Sequence, residues 1–163
     1  MTHRALLVSV ALLAPAVALA GTEPPTATHL VQEVYATGVQ IYSCEAGAQG
    51  PTWIFKSPEA DLANGRGQLV GTHFAGPSWK NNDGSLVVGE VVAKENAPKA
   101  GDIPWLLLKA KGHEGSGAWS GVTYVRRTGT SGGVAPTKDG CEAARVGQQL
   151  RVPYKAIYQF YGE

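Results

Sequence analysis

His73, Trp79 and Asp83 lie in the stretch from Gly71 to Ser85, GTHFAGPSWKNNDGS, and their types and spacing allow chemistry. An imidazole moves protons near neutral pH, an indole face stacks on a sugar ring or another flat ligand, and a carboxylate orients a histidine or accepts a hydrogen bond. Gly76 and Pro77 break regular strand geometry between the histidine and the tryptophan, so the three side chains can meet at the rim of one groove. Trp119 joins them as a ligand-binding candidate, because it follows the glycine-rich loop GHEGSG at 112–117 and is expected to be exposed. A plainer alternative has Trp79 covering the core, His73 bonded to a backbone carbonyl and Asp83 shaping a turn. A hydrolytic alternative makes His73 a general base and Asp83 its orienting group. No serine or cysteine nucleophile stands beside them, so no catalytic residue is assigned.

Other chemistries are excluded by missing residues. His113 and Glu114 begin like a zinc-binding HExxH helix, but the second histidine is absent and the glycines forbid that helix. GRGQLV and GSGAWS both fail the dinucleotide fingerprint at the sixth position, and neither a phosphate-binding P-loop nor a GxSxG elbow occurs. No cofactor is therefore expected. A metal site would need His29, His73 and His113 to converge, and none is assigned. Glu59 and Asp61, in SPEADL, form the nearest carboxylate pair, in what reads as a local helical turn.

Compartment and partners follow from the chain's start, cysteines and charge. His3 and Arg4 precede an apolar run from Ala5 to Leu19, and Ala18-Leu19-Ala20 closes it before Gly21. That is the build of a secretory signal peptide over residues 1–20, too short for a membrane span. Residues 21–163 are expected to form a single secreted domain, in the periplasm or outside the cell, with no integral membrane segment. In an oxidising compartment Cys44 and Cys141 read as one disulfide. Of 14 basic residues Arg4 lies in the leader, so the remainder balance the 13 acidic ones. That balance lacks the basic footprint of nucleic-acid binding. The expected role is a non-enzymatic module that binds a small molecule, a glycan or an envelope component; besides the hydrolytic alternative, a structural envelope or stress protein without a ligand is the third reading.

The elements that must position these residues are short β-branched or aromatic runs cut by glycine and proline. GVQIYSC at 38–44 alternates, with Val39 and Ile41 on one face and Tyr42 and Cys44 on the other. PTWIFK, GQLVGTHF, SLVVGEVVAK, WLLLKAK, WSGVTYVRR and VPYKAIYQFY follow the same pattern. Connections too short for crossover helices make the pairing antiparallel, and NNDG at 81–84 has hairpin-turn composition. The expected fold is all-β, an antiparallel sandwich or partly closed barrel of seven or eight strands with at most short helical turns, CEAAR among them. Trp53 and Trp105 read as core anchors, and Tyr154, Tyr158 and Phe160 as one buried strand face. Arg126-Arg127 reads as a solvated edge, Thr128 to Pro136 as a mobile loop, and Gly21 to Thr28 as weakly ordered.

GVQIYSC, HFAGPSW at 73–79, DGS at 83–85, IPWLLL at 103–108, GGVAP before Cys141, and VPYKAIYQFY at 152–161 together resemble one family. It comprises secreted bacterial and fungal proteins with a domain of unknown function, of the DUF3455 type. The resemblance covers the whole chain after the leader, in order. It implies a secreted single domain and brings no catalytic or binding residues with it. Some relatives carry dehydrogenase names, which the missing nucleotide fingerprint argues against here.

Overall fold

A computed structural model describes residues 21–137 and 139–163. The expected signal peptide, residues 1–20, lies outside the described residues. Eight strands follow one another: β1 (His29–Glu45), β2 (Thr52–Ala63), β3 (Leu69–Phe74), β4 (Ser78–Asn81), β5 (Leu86–Glu95), β6 (Trp105–Glu114), β7 (Val122–Gly132) and β8 (Gln149–Gly162). Each pairs antiparallel with the next, and β8 pairs with β1, so the sheet closes on itself as a barrel. Closure decides between the sandwich and the partly closed barrel in favour of a complete one, and it leaves no unpaired edge. An eight-stranded barrel is just wide enough to be filled by side chains or to hold one small ligand. In this molecule side chains fill one end, and a cavity opens at the other.

The alternation that built the strands also fills the interior. On β8, Tyr154, Ala156, Tyr158 and Phe160 are all buried, as the shared strand face required. β1 presents Val34, Ala36 and Gln40 inward. SPEADL is strand, not helix, because Pro58, Ala60 and Leu62 are buried while Glu59 and Asp61 between them are exposed. Two-residue alternation that serves a core outweighs the local preference of a short helical turn. CEAAR does form one turn of 3-10 helix, Ala143–Arg145.

Two segments expected to be loose are held. β7 continues through Gly132, with the Thr130 hydroxyl donating to the Ile103 carbonyl at 2.7 Å and the Gly132 amide to Asp102 Oδ1 at 2.6 Å. Near the start, Thr22 is fully buried and donates its amide and hydroxyl to Glu95 Oε2 at 3.1 and 2.6 Å. Glu23 forms an ion pair with Arg126. Specific polar partners supply the order that glycine and proline composition hides.

Trp79 covers the core, as the plainer alternative had it, while Trp53, Trp105 and Trp119 depart from their readings. Trp53 and Trp105 are only half-buried, Trp53 donating its indole N–H to the Asp139 carbonyl at 3.0 Å. Trp79 and Trp119 are the core anchors, 1% and 0% exposed. Trp119 stacks on Phe160 with centroids 4.2 Å apart, and Trp79 meets Phe160 edge-on at 6.2 Å. His73 stacks on the other side of this column, 4.6 Å from Trp79 and nearly parallel to it. Gly89 makes room for it, since a Cβ there would sit 3.2 Å from the Trp79 ring and from Leu108 Cβ. Cys44 and Cys141 are joined in a disulfide, as read from the sequence.

Candidate functional site

Strand direction separates the four candidate residues into two groups. β3 runs toward the β3–β4 turn at Ala75–Pro77, and β4 runs back from it. His73 and Trp79, opposite one another in the register, therefore share the half of the barrel where that turn lies. Asp83 lies in the next turn, at the other end, together with the β6–β7 loop and Trp119.

At that second end Asp83 works as a clamp. Oδ1 accepts the Ser85 amide and hydroxyl at 2.9 and 2.6 Å, and Oδ2 accepts the Ala118 amide at 2.7 Å. Ser85 Oγ in turn accepts the Trp119 amide at 3.1 Å. Gly117 is required where it stands: its φ is +157°, and a Cβ there would fall 2.3 Å from the Asp83 carboxyl carbon. The Ser85 hydroxyl first, then the Ala118 and Ser85 amides, hold the Asp83 carboxyl below the usual carboxylate range. Trp119 donates its indole N–H to Gln32 at 2.8 Å and presents no exposed face. The loop folds over it and the clamp fastens the loop. Asp83→Ala is expected to lower the melting temperature by roughly 3–6 °C, measured by circular dichroism, and to leave the opposite end unaltered.

The first end is different. A cavity of about 360 Å³ opens there, bounded by Phe55 and Pro58 of β2, the Gly76-Pro77 turn, Val91 of β5 and Leu106 of β6. Its inner wall is formed by Gln40, His73, Trp79, Tyr158 and Arg127. Gln40, Arg127 and Tyr158 are site residues that sequence reasoning passed over. Gln40 carried a signal, since it occupies an inward position of an alternating strand where an apolar residue is the default. Arg127 is in phase with buried Val125, so of the arginine pair it is the one turned inward, not a solvated edge residue.

The polar chemistry of this wall is unusual for a barrel interior. His73 Nδ1 lies 2.8 Å from the Ser78 carbonyl, which can only accept, so the proton sits on Nδ1. Burial pushes the His73 pKa down to about 3, with the Ser78 bond opposing that and the Arg127 charge adding to it. The imidazole is therefore neutral under any physiological condition. Asp83 is not its orienting partner, because each of the two side chains bonds other groups. Burial also raises the Tyr158 pKa, so that hydroxyl keeps its proton. Tyr158 OH, Gln40 Nε2 and Trp79 Nε1 are buried without a hydrogen bond of good geometry; the Tyr158 hydroxyl lies beside Tyr154 and Arg127, and Gln40 beside Tyr154. Arg127 Nε and Nη2 donate to the Pro104 carbonyl at 3.0 and 2.8 Å.

Among the described residues no group of three histidine, cysteine, aspartate or glutamate side chains is placed to hold a metal ion. None of the described helices is long and apolar enough to cross a membrane. No curated protein and no solved structure matches the chain. Residues 24–162 match the model of the family described as protein of unknown function (DUF3455), and the chain belongs to that family.

Proposed function

We propose that the protein is a secreted, non-enzymatic module that takes a small molecule into the open end of its barrel. One observation carries this reading. Gln40, Trp79 and Tyr158, each more than nine-tenths buried, line one apolar-walled cavity, and each carries a polar atom buried just behind that wall without a hydrogen bond of good geometry. A buried donor without an acceptor costs about 1–3 kcal/mol, so a small side-chain adjustment that brings such a donor to a ligand's acceptor is favoured. The volume falls at the lower end of the range for ligand pockets, roughly 300–1,000 Å³, which favours a compact molecule over a glycan chain. The disulfide supports an oxidising compartment, with a mature chain starting near Gly21.

The reading is tested with the fluorescent probe anilinonaphthalene sulfonate. Saturable emission at one site per molecule is expected. Leu106→Trp, which places an indole across the mouth, is expected to weaken it about tenfold while circular dichroism stays unchanged. A folded wild-type protein that leaves the probe unbound, or a Leu106→Trp variant that binds it equally well, defeats the proposal.

A further inference from the structure

We infer that the cavity's ligand is an apolar molecule with an anionic head group, its carboxylate or equivalent held by Arg127 with Gln40 and Tyr158 beside it. This rests on the small-molecule reading and names the ligand class for the same site.

The charge balance of the lining is the first support. Among thirteen lining residues there are two cations, Lys56 and Arg127, and no carboxylate. Lys56 is ion-paired with Glu45 at the rim. Arg127 has no acidic partner among the described residues, and its Nε and Nη2 are given to a neutral carbonyl. A half-buried guanidinium without a counter-charge is costly, and a ligand carboxylate compensates it with a charge-assisted bond.

Donor polarity is the second support, and it is independent of charge. The amide nitrogen of Gln40 and the indole nitrogen of Trp79 can only donate, and the Tyr158 phenol has a proton to give. A cluster of donors selects a molecule that brings acceptors. His73 does not compete for the anion as a second cation, because its ring is neutral. The positive field of Arg127 reaches Tyr42, His73, Tyr154 and Tyr158, favouring negative charge throughout this half of the barrel. Phe55, Val91, Leu106 and Leu108 then cover the apolar body.

The test compares head groups on constant bodies by calorimetry with the oxidised protein, using octanoate against octanol and naphthoate against naphthol. The acid is expected to bind about tenfold more tightly than its alcohol in at least one pair. The pair that shows it tells a flexible chain from a flat ring. Arg127→Met is expected to erase the preference and keep alcohol binding. Because that change also frees the Pro104 carbonyl, Tyr158→Phe serves as a second variant, expected to weaken the acid several-fold in a protein that melts normally. Alcohols that bind as well as their acids overturn the anionic head group and leave the pocket standing. If none of the four compounds binds, the small-molecule reading falls with it.

Discussion

Replacing Cys44 and Cys141 together by alanine is expected to remove about 4–5 kcal/mol of stability, the largest loss from any exposed-loop or covalent change in this molecule. The bridge closes a loop with a sequence separation of 97, and on the chain-entropy model that length sets the magnitude. Little else restrains the segment between β7 and β8. Residues 142–149 are exposed, and the short helical turn there contributes no buried residue. Among the described residues what remains is the Gly133 bridge to Asp102 and the Tyr42 hydroxyl donating to the Gly133 carbonyl at 2.6 Å where the segment begins, the Trp53 bond to Asp139, and two backbone bonds beside the disulfide, Cys44 N–H to the Gln148 carbonyl at 2.9 Å and Gly147 N–H to the Cys44 carbonyl at 2.8 Å. For a domain whose total stability is roughly 5–15 kcal/mol, such a loss turns a firmly folded protein into a marginal one. Urea midpoints of the oxidised wild type and the double alanine variant measure it. A difference under about 1 kcal/mol means that the unfolded chain already keeps these ends together, and the entropic account is then wrong.

Acidification should reveal the second large effect, and His73 is its source. The folded pKa is depressed from 6.5 to about 3, so between those values the unfolded chain holds a proton that the folded chain refuses. Stability from this group is therefore complete above pH 6.5 and falls as the pH drops toward 3. The slope approaches 1.4 kcal/mol per pH unit, which amounts to about 3 kcal/mol between pH 7 and pH 4. His73→Phe keeps a ring against Trp79 and removes the titration. At pH 7 the variant is expected to be less stable by about 1 kcal/mol for the lost Ser78 bond, and between about pH 5.5 and 6 the two curves should cross. Carboxylates and the other histidines titrate in both proteins and cancel in the difference. Parallel curves would mean that protons reach the imidazole in the folded state, which requires water to solvate the ring through the cavity.

Much of the fold was legible because a barrel is made of alternation, and alternation is a sequence property. The strands around Val39–Cys44, Leu69–Phe74 and Tyr154–Phe160 were readable from side-chain period alone. Closure was not, since whether β8 meets β1 depends on accumulated twist and stagger rather than on any local run of residues. The candidate site was legible in part. His73 and Trp79 stood out by type, and both line the cavity. Asp83 and Trp119 stood out by the same signals, yet the turn and loop that carry them close the opposite end of the barrel. Adjacency in sequence said nothing of which end a turn would reach. Arg127 and Tyr158 were hidden by their company, one in a charged pair and the other in an aromatic stripe, where the ordinary roles are solvent and core.

The pairing order of the strands also bears on how quickly the barrel assembles. Seven of the eight pairings join strands adjacent in the chain, each a hairpin that can form early and locally. The eighth is a seam between the two ends, from His29 opposite Gly162 to Ser43 opposite Gln149, and its contacts have the highest contact order in the molecule. Loop-closure entropy for the whole barrel falls on that one step. The disulfide anchors the seam at the Cys44 end, directly beyond its last pair. An oxidised chain thus enters folding with most of that closure already made, while a newly made, reduced one must find its own first strand across the length of the protein.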